Sequence, residues 1–446
     1  MIGVEMSAPS QRLQKREMVS RGRPVGSRAE WDNESPMPLG IYIAIPFCKS
    51  KCSYCNFASG VASRAVFGRY VEKLCADVAR AEQIAHQMGG RLERDVDSVY
   101  LGGGTPTMLD PGQLEQVFHA LRQAFNLQKD AEVTVECAPG TLTSAVLEVL
   151  LRCGVNRVSL GVQSWVDQEA AAVGRLHTRK TVLEDVARLG SAGIANINID
   201  LIAGLPHQTA ESWEYSLTET IACGAPHASV YILEVDEDSR LGRELRAGGT
   251  RYHAHYVPDD DASADFYLAA GERLEAAGVR QYEISNFART GSESRHNLKY
   301  WMRQPYLGFG VDAHSMLPAL EEHDVSRADA SEAVRFSMVD ELDRFLAGTT
   351  WNRTEVTHRA ALEETFFLGL RLMQGVNLDE VAARFGAEAL ASVAPVIGEC
   401  TGAGLLERRQ SVVRLTPRGR LLSNEVFERF ISGDVQECAR PAPPSE

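Results

Sequence analysis

Three cysteines stand close together near the start of the sequence, in the segment from Ile45 to Phe57. Cys48, Cys52 and Cys55 have the spacing Cys-x3-Cys-x2-Cys. Thiolates are the usual protein ligands of iron–sulfur clusters, and a loop with this spacing can wrap its sulfurs around one corner of a cubane. Three ligands leave one iron without a protein donor, so that a small chelating molecule can bind there. The spacing therefore predicts a [4Fe–4S] cluster with one open iron.

Two other interpretations of these cysteines are a structural zinc site and thiols buried in a core. Structural zinc usually takes a fourth sulfur or nitrogen ligand, and no further Cys or His stands near this segment. Buried thiols rarely cluster so tightly. The sequence holds 9 cysteines, an odd number without the regular spacing of a disulfide framework. This pattern favours reduced thiols, and with them a reducing compartment inside the cell.

Glycines and polar residues follow other predicted strands. A turn of three glycines precedes Thr105, and its backbone can approach a ligand closely because it has no side chains. Glu136, Gln163 and Asp200 each end a predicted strand. The alternatives are a plain tight turn for the glycines and a strand-end cap for each polar residue. Together with the cysteine loop they predict one ligand-binding face, because the carboxyl ends of parallel strands meet at one end of a barrel.

The elements that must position these residues are short apolar runs that alternate with amphipathic segments. The runs predict six strands: Ile41–Ile45, Ser98–Leu101, Glu132–Glu136, Arg157–Gly161, Asn196–Leu201 and Ser229–Leu233. Helical patterns lie between them: Val66–His86, Pro111–Ala124, Ser144–Arg152, Thr181–Ala192 and Ala210–Cys223. This alternation predicts an α/β fold of parallel βα units with right-handed crossovers. Either a doubly wound sheet or a partial barrel satisfies the order.

The pattern changes after about Pro258. A helix is predicted over Ala264–Ala277, whereas Tyr282–Gly310 is too polar and irregular for a core element. The order of the later segments is that of a small winged-helix-like domain. Four helices are predicted over Val339–Leu346, Glu363–Met373, Leu378–Phe385 and Glu388–Glu399. A hairpin of Gly404–Glu407 and Val412–Leu415 and a closing helix over Pro417–Phe430 follow. The predicted division is a disordered tail (1–37), a core (38–270), a connecting region (271–350), the winged-helix-like domain (351–432) and a second disordered tail (433–446).

Composition and charge exclude some classes of partner. The chain has 446 residues and a formal net charge of −14, which repels nucleic acid and anionic lipid. The segment Trp351–Ser432 contains ten arginines, ten acidic residues and no lysine, so it lacks a phosphate-binding face. No run approaches the roughly 18 apolar residues that cross a bilayer. We therefore expect a cytoplasmic protein without nucleic-acid partners or transmembrane segments, and with at most peripheral contact with a membrane.

The cysteine spacing, with the aromatic Tyr54 before the last cysteine, resembles the motif of the radical SAM superfamily, whose members bind S-adenosylmethionine (SAM) on a [4Fe–4S] cluster. From about Leu39 to Phe430, the chain resembles the branch that contains the oxygen-independent coproporphyrinogen III dehydrogenases and the HemW-type heme chaperones. The resemblance implies a partial (β/α)6 TIM-like barrel followed by a mainly α winged-helix-like domain. It also implies that the three clustered cysteines are the cluster ligands.

The resemblance further implies which residues contact SAM. These are Tyr42, Gly103, Gly104, Thr105, Glu136, Gln163, Arg175 and Asp200. Tyr54 is expected to present main-chain groups near the adenine of SAM, and the alternative for it is simple packing. Arg175 is suited to pair with the carboxylate of SAM as a charge-assisted donor. In the superfamily an electron from the reduced cluster cleaves SAM to a 5′-deoxyadenosyl radical, so an electron donor is an expected partner. The protein supplies orientation and the exclusion of water, and no side chain is predicted to act as a catalytic group.

Two details separate the two kinds of protein in this branch. The dehydrogenases carry a fourth cysteine two residues beyond the third, and here that position is Phe57. The segment His296-Asn297-Leu298-Lys299-Tyr300-Trp301 matches the HNxxYW motif of the heme chaperones. A neutral imidazole can bind heme iron, so His296 is the predicted heme ligand. The other interpretation of His296 is a histidine hydrogen-bonded inside a structured loop.

These features predict a heme chaperone that binds heme and passes it to acceptor proteins. The alternative is an oxygen-independent coproporphyrinogen III dehydrogenase, an enzyme of porphyrin biosynthesis with the same fold. A third hypothesis, a nucleic-acid-binding regulator that uses the cluster as a sensor, is disfavoured by the balanced charge of the C-terminal segment.

Overall fold

The computed structural model describes residues 37–320, 330–348 and 351–431. The two predicted tails, apart from Met37, lie outside the described residues. The described residues form one twelve-stranded sheet and one three-stranded sheet, both packed against helices. None of the described helices combines the length and the apolar content that crossing a bilayer requires.

Six parallel strands form the first part of the large sheet. They are β1 (Leu39–Ala44), β2 (Asp95–Gly102), β3 (Asn126–Cys137), β4 (Arg157–Gln163), β5 (Asn196–Ala203) and β6 (His227–Ile232). Each strand pairs in parallel with the next one along the chain. This order confirms the predicted α/β class and its six βα units.

Helices connect these strands and cover one face of the sheet. They are α1 (Arg64–Ala79), α2 (Ala81–Gln87), α3 (Pro111–Ala124), α4 (Ser144–Arg152), α5 (Asp167–Ala172), α6 (Arg179–Ser191) and α7 (Ala210–Ala222). The bounds of α3 and α4 are those predicted. Both helices begin at a side-chain cap, since Asp110 accepts from the Gln113 N–H and Thr143 accepts from the Val146 N–H.

The predicted single helix over Val66–His86 is wrong, because two helices occupy this segment. At Arg80 the backbone leaves helical geometry, with φ −100° and ψ 14°, and the Arg80 N–H donates to the carbonyl of Asp77, three residues back. Val78 and Ile84, on either side of the break, belong to the same hydrophobic core. The apolar period therefore continues through the break and conceals it.

Side chains on the six strands alternate between apolar and polar. In β2, Val99 and Leu101 join the main hydrophobic core, whereas Ser98 and Tyr100 form side-chain hydrogen bonds. Successive residues of a strand point to opposite faces, so the face under the helices is apolar and the inner face is polar. A doubly wound sheet is buried by helices on both faces and needs apolar residues on both. The polar inner face therefore distinguishes the partial barrel from the open sheet.

The sheet continues at both edges. Beside β6 it adds β7 (Arg280–Gln281) and β8 (Asn286–Ala288), and beside β1 it adds β9 (Tyr306–Phe309), β10 (His314–Pro318), β11 (Ser331–Met338) and β12 (Trp351–Thr357). Strand β9 is parallel to β1, and the other added pairs are antiparallel. The helices of this part are α8 (Arg240–Ala247), α9 (Asp260–Ala276), α10 (Arg295–Trp301) and α11 (Leu342–Ala347).

The expectation that Tyr282–Gly310 is too polar and irregular for a core element is wrong. Every residue of β9 is buried, and α10 buries His296 and Lys299. The Lys299 ammonium lies 2.8 Å from a carboxylate oxygen of Asp97 and 2.8 Å from the carbonyl oxygen of Pro38. Polar side chains can be buried where each one has a hydrogen-bond or charge partner. The polarity of this segment was therefore not a sufficient reason to exclude it from the core.

The last part of the chain forms a second hydrophobic core. Its elements are α12 (His358–Gly369), β13 (Val376–Asn377), α13 (Leu378–Phe385), α14 (Ala387–Gly402), β14 (Leu406–Arg409), β15 (Val412–Leu415), α15 (Pro417–Leu421) and α16 (Ser423–Glu428). The strands pair in the order β13-β15-β14. This part is mainly α, as predicted. The predicted closing helix Pro417–Phe430 is two helices, because the backbone breaks at Leu422 with φ −108° and ψ 31°.

Candidate functional site

The loop between β1 and α1 contains the three clustered cysteines. Its ends are tied together, because the Cys48 N–H donates to the carbonyl of Gly60 and the Gly60 N–H donates to that of Pro46, each at 2.9 Å. Inside the loop the Lys51 ammonium donates to the carbonyl oxygens of residues 57 and 59 at 3.0 Å. These local hydrogen bonds fix the loop at the carboxyl end of the first strand.

The three thiols have different surroundings. Cys52 is 8% exposed, and its Sγ lies 3.6 Å from Nη1 of Arg175. Cys48 and Cys55 are partly exposed, and the hydroxyl of Thr105 lies 3.8 Å from the Sγ of Cys48. Burial raises the pKa of the Cys48 thiol, whereas metal binding favours the thiolate. Hydrogen bonds with Ser59 and Thr105 oppose this shift in the pKa of Cys48.

The donor set fits a cluster better than a single ion. Within the described ranges of the chain, no three His, Cys, Asp or Glu side chains converge on a point that could hold one metal ion. In a cubane each thiolate binds a different iron, so three cluster ligands need not converge in this way. Tetrahedral zinc would require the convergence of its donors. Three thiols on one short loop therefore agree with the predicted [4Fe–4S] cluster.

The glycine turn after β2 lies against the cysteine loop. A Cβ on Gly104 would stand 2.6 Å from the carbonyl oxygen of Ile45 and 2.9 Å from the backbone nitrogen of Phe47, so a side chain does not fit there. Gly103 has a φ of +86°, in the left-handed region that favours glycine. The Thr105 N–H donates to the Phe47 carbonyl at 2.8 Å. The glycines thus allow the two loops to touch through their backbones.

Glu136 stands near the end of β3, beside the glycine turn. Its Oε1 accepts a hydrogen bond of 2.9 Å from the hydroxyl of Tyr100, and the Gly103 N–H also donates to the carboxylate. Burial and, next, the nearby Asp200 carboxylate raise the pKa of Glu136 to about 7. A carboxyl group with a pKa near neutrality can accept a hydrogen bond from an ammonium group of a ligand and be ionised by its approach.

Asp200 projects from β5 into a cluster of neutral donors. Ser159 donates to its carboxylate at 3.0 Å and Asn198 at 2.6 Å. Asn198 also donates to the hydroxyl of Ser229 on β6 at 2.9 Å, so the cluster joins three neighbouring strands. Burial raises the pKa of Asp200, and these donors oppose that shift. The carboxylate is held in one orientation and keeps acceptor capacity for ligand hydroxyl groups.

Gln163 and Arg175 meet at Gly161, near the end of β4. The register between β4 and β5 shifts between Gly161 and Gln163, and Gln163 has a φ of +69°. A Cβ on Gly161 would lie 2.8 Å from Nη2 of Arg175 and 3.2 Å from Nε2 of Gln163. Nη2 of Arg175 donates to the Gly161 carbonyl, while its buried Nε has no hydrogen-bond partner in the described part of the chain. A ligand carboxylate would satisfy this nitrogen.

Two tyrosines complete this end of the barrel. The hydroxyl of Tyr42 on β1 lies 3.0 Å from the point that a Cβ on Gly103 would occupy. Tyr54, in the cysteine loop, packs against an apolar cluster that includes Val173 and Leu205. The structure thus collects the residues predicted to contact SAM around one end of the barrel, and their contacts with SAM itself stay a prediction.

His296 lies on α10 against the polar inner face of the barrel. It is 1% exposed, and both ring nitrogens are hydrogen-bonded, Nδ1 with Ser98 at 3.1 Å and Nε2 with the hydroxyl of Tyr300 at 2.9 Å. Its ring is stacked on Tyr100 with centroids 5.4 Å apart. Burial and then the Lys299 charge lower the pKa of His296 to about 3. The imidazole is neutral, as an iron ligand must be, but Nε2 becomes available only when its bond to Tyr300 breaks.

Several functional residues of the inner face were not predicted from the sequence. Ser159 and Asn198 hold Asp200, and Tyr100 holds the carboxylate at the end of β3. Arg157, which is 1% exposed, brings a buried cation to the same face. A signal for them was present, because polar residues recur at alternate positions over residues 98–100 of β2, 157–159 of β4 and 196–200 of β5. Attention to strand ends alone overlooked this period.

Comparisons with known proteins agree with this geometry. The sequence matches the Radical SAM superfamily over residues 42–219 and the HemN C-terminal domain over residues 356–422. It is 33% identical over 394 residues to the heme chaperone HemW of Bacillus subtilis, a match that covers 87% of this chain and 98% of that protein. It is 35% identical over 348 residues to the heme chaperone HemW of Synechocystis, with 76% and 80% covered.

A solved structure has the same fold. Coproporphyrinogen III oxidase (HemN) from Escherichia coli matches with a TM-score of 0.74 over 89% of this chain and 90% of that chain, at 22% identity. At this identity the match shows the fold, a partial barrel with a C-terminal helical part, and not the activity. The match to the Bacillus subtilis protein covers nearly the whole of that relative, and the range matched by the Radical SAM family includes the cysteine loop. The chain therefore belongs to the radical SAM superfamily and, within it, to the group of proteins called HemW.

Proposed function

We propose that this protein is a heme chaperone, which binds heme and transfers it to acceptor proteins. The observation that carries the proposal is similarity to relatives that are named heme chaperones, along 98% of the length of one and 80% of the length of another. The cysteine loop supports it as well. At the position where the dehydrogenases have a fourth cysteine, this chain has Phe57, whose side chain is 64% exposed and offers no thiol.

Membership of the superfamily implies a [4Fe–4S] cluster and SAM, which supply the redox chemistry when they are bound. We propose Cys48, Cys52 and Cys55 as the cluster ligands. The unpaired Nε of Arg175 is suited to the carboxylate of SAM, and the carboxyl group of Glu136 to its ammonium group. The remaining proposed SAM contacts are Tyr42, Tyr54, Gly103, Gly104, Thr105, Gln163 and Asp200.

The proposed cellular setting follows from the cofactors. A [4Fe–4S] cluster with thiolate ligands needs a reducing compartment, for which we propose the cytoplasm. The proposed partners are heme, its acceptor proteins and an electron donor for the cluster. Peripheral membrane contact is compatible with this setting.

His296 is the proposed ligand of heme iron, and the structure defines what its use requires. The Tyr300 hydroxyl must leave Nε2, and α10 must shift to expose a ring that is 1% exposed. Two interactions oppose that shift. The Glu132 carboxylate accepts from the N–H of His296 at 3.2 Å, and Lys299 pairs with Asp97. Heme binding at His296 therefore involves a movement of α10.

Heme titration of the anaerobically reconstituted protein tests this proposal. We expect a Soret band in the wild type that is lost in His296→Ala. Tyr300→Phe removes the hydroxyl from Nε2 and keeps the ring, so heme affinity should rise up to about tenfold, the value of roughly one hydrogen bond. The exposed His119 on α3 provides a control, and His119→Ala should bind heme like the wild type.

Two outcomes would contradict the proposal. A Soret band that persists unchanged in His296→Ala would place the heme ligand elsewhere. Conversion of coproporphyrinogen III to protoporphyrinogen IX by the purified protein would instead establish the dehydrogenase, the alternative with the same fold.

A further inference from the structure

Two histidines from separate loops face each other outside the site described above. His207 lies in the loop between β5 and α7, and His253 lies between α8 and α9. Nε2 of His207 and Nδ1 of His253 are 3.2 Å apart. The ring planes cross at 63° with centroids 5.0 Å apart, so the contact joins nitrogen atoms and not ring faces.

The loop of His207 is fixed by the residue that follows it. Gln208 is 5% exposed, and its Oε1 accepts from the Gly204 N–H at 2.6 Å. Its Nε2 donates to the Ile202 carbonyl at 3.1 Å. The amide side chain thus closes the turn after β5, and His207 extends from a backbone with little freedom.

The loop of His253 is fixed in a corresponding way by a carboxylate. Glu244 on α8 accepts from the N–H of Tyr252 at 2.8 Å and from that of Ala254 at 3.2 Å, the two residues that flank His253. The two loops are also joined directly, since the His207 N–H donates to the carbonyl of Tyr256 at 3.0 Å. The two imidazoles are therefore positioned before any ligand binds.

Both histidines adopt a left-handed backbone conformation, with φ of +70° for His207 and +61° for His253. Residues other than glycine rarely adopt this conformation, and it is maintained only where the surroundings enforce it. Here the two anchored loops hold His207 and His253, whose side chains meet, in this left-handed conformation.

We propose that His207 Nε2 and His253 Nδ1 together bind one divalent first-row transition metal ion, such as Zn²⁺. Neutral imidazole is a common ligand for such ions. In a tetrahedral site with zinc–nitrogen distances of about 2.0–2.1 Å, neighbouring donors lie about 3.3 Å apart. The observed separation of 3.2 Å already matches this spacing. In the metal-free protein the same two nitrogens share one proton in a hydrogen bond.

The ion would join the loop after β5 to the loop before α9. No third His, Cys, Asp or Glu of the described ranges completes a ligand group there, so water fills the remaining positions. Because the protein supplies only two of the four ligands, the ion is held more weakly than in a structural zinc site with four protein ligands. This site is independent of the cluster and of the proposed heme binding.

Zinc titration by calorimetry, with the anaerobically reconstituted protein, tests the proposal while the cysteines are occupied. We expect one Zn²⁺ per chain, with zinc-edge X-ray absorption showing nitrogen and oxygen ligands at about 2.0–2.1 Å. His207→Asn and His253→Asn should each weaken binding at least about tenfold, since asparagine tolerates the left-handed backbone but lacks the imidazole. His119→Asn, on the exposed face of α3, should bind zinc like the wild type.

Three results would overturn the proposal: absence of zinc uptake by the wild type, sulfur ligands at about 2.3 Å, or unchanged zinc affinity in a variant that carries both His207→Asn and His253→Asn. Iron and sulfide contents and circular dichroism show whether each variant is folded. The zinc-edge X-ray absorption spectrum of the wild-type protein identifies the ligand atoms even if a variant fails to fold.

Discussion

Glu136 and His296 show how the inner face of the barrel controls charge. Burial raises the pKa of the carboxyl group to about 7 and lowers that of the imidazole to about 3, so both shifts favour the neutral form. Two buried cations also lie in this region: Lys299, which has Asp97 as its partner at 2.8 Å, and Arg157, which is 1% exposed. Burial thus suppresses the charge of the Glu136 carboxyl group and of the His296 imidazole, while the same region holds two buried cations.

Replacement of Glu136 by glutamine should stabilise the protein more as the pH rises. The folded-state pKa of about 7 lies above the ordinary value of 4.5, so ionisation of Glu136 costs folding free energy increasingly between these two values. Glutamine does not ionise and can still accept from Tyr100. We expect the advantage of Glu136→Gln in the free energy of unfolding to grow by about 1–3 kcal/mol between pH 5 and pH 8.

Urea denaturation of the cluster-free protein at several pH values measures this advantage. Glu148→Gln, at an exposed position on α4, is the matched control and should show no such growth. An advantage of Glu136→Gln that does not change with pH would show that the carboxyl group titrates normally.

At the scale of elements, the site depends on the contact between the glycine turn and the cysteine loop. The backbone of residues 45–47 passes within 3.0 Å of the place that a Cβ on Gly104 would occupy. Backbone atoms cannot move aside as a flexible side chain can. The first strand, the cysteine loop and the glycine turn therefore form one structural unit.

Gly104→Ala should separate the two loops and prevent assembly of the cluster. We expect the variant to take up less than about a tenth of the iron and sulfide of the wild type, because the shifted loop no longer presents three thiols to one cubane. Gly68→Ala is the matched control, since nothing lies within 4 Å of the added methyl group and the residue is inside α1. It should reconstitute normally and can stabilise the helix by up to about 1 kcal/mol.

Iron and sulfide analysis after anaerobic reconstitution measures both variants. Full cluster content in Gly104→Ala would mean that the two loops need not touch.

Elements were predictable where their signals were local. The bounds of α3 and α4 follow from an uninterrupted apolar period and from Asp110 and Thr143, which have the residue types that cap helices. The break at Arg80 could not be predicted, because both helices pack on one core and preserve the period. Strand β9 was missed because its four residues pair with β1, far away in the sequence.

At the scale of the whole molecule, a buried carboxylate connects the large sheet to the C-terminal core. Glu364 on α12 accepts from Nε of Arg303 at 2.8 Å and from Nη2 of Arg335 on β11 at 2.8 Å. The side chains of Glu364 and Arg303 are 6% and 3% exposed, so solvent screens this pair little. The second core is thus fastened to the barrel by charge as well as by packing.

Glu364→Gln should loosen this connection. The substitution preserves shape but removes the carboxylate between two arginines, and Arg303 then keeps only the Glu332 carboxylate at 4.0 Å, so we expect a loss of about 2–4 kcal/mol in the free energy of unfolding. The substitution should increase the rate of amide hydrogen exchange more in α12 than in the six-stranded part of the sheet. Glu388→Gln, at an exposed position on α14, should change neither quantity appreciably. Unchanged exchange in α12 of Glu364→Gln would mean that packing alone holds the second core.

The candidate site was predictable in its outline because its residues stand at the carboxyl ends of strands whose order follows the sequence. The polar alternation marks supporting residues such as Arg157 and Ser159 as inner-face positions, but the sequence does not show what they contact, because the partner of Ser159, Asp200, stands on another strand. Burial of His296 was equally hidden. The sequence shows a histidine in a motif, whereas its hydrogen bonds to Ser98 and Tyr300 depend on the packing of α10 against β2.

The position of β1 between β2 and β9 has a consequence for how the protein is made. On the ribosome β1 emerges among the first described residues, and β9 follows only after the rest of the parallel barrel has been synthesised. Throughout that time one side of β1 presents unpaired peptide groups, which readily pair with strands of other chains. The open edge of β1 must therefore avoid pairing with strands of other chains until β9 has been synthesised. We expect aggregation during translation to begin at β1.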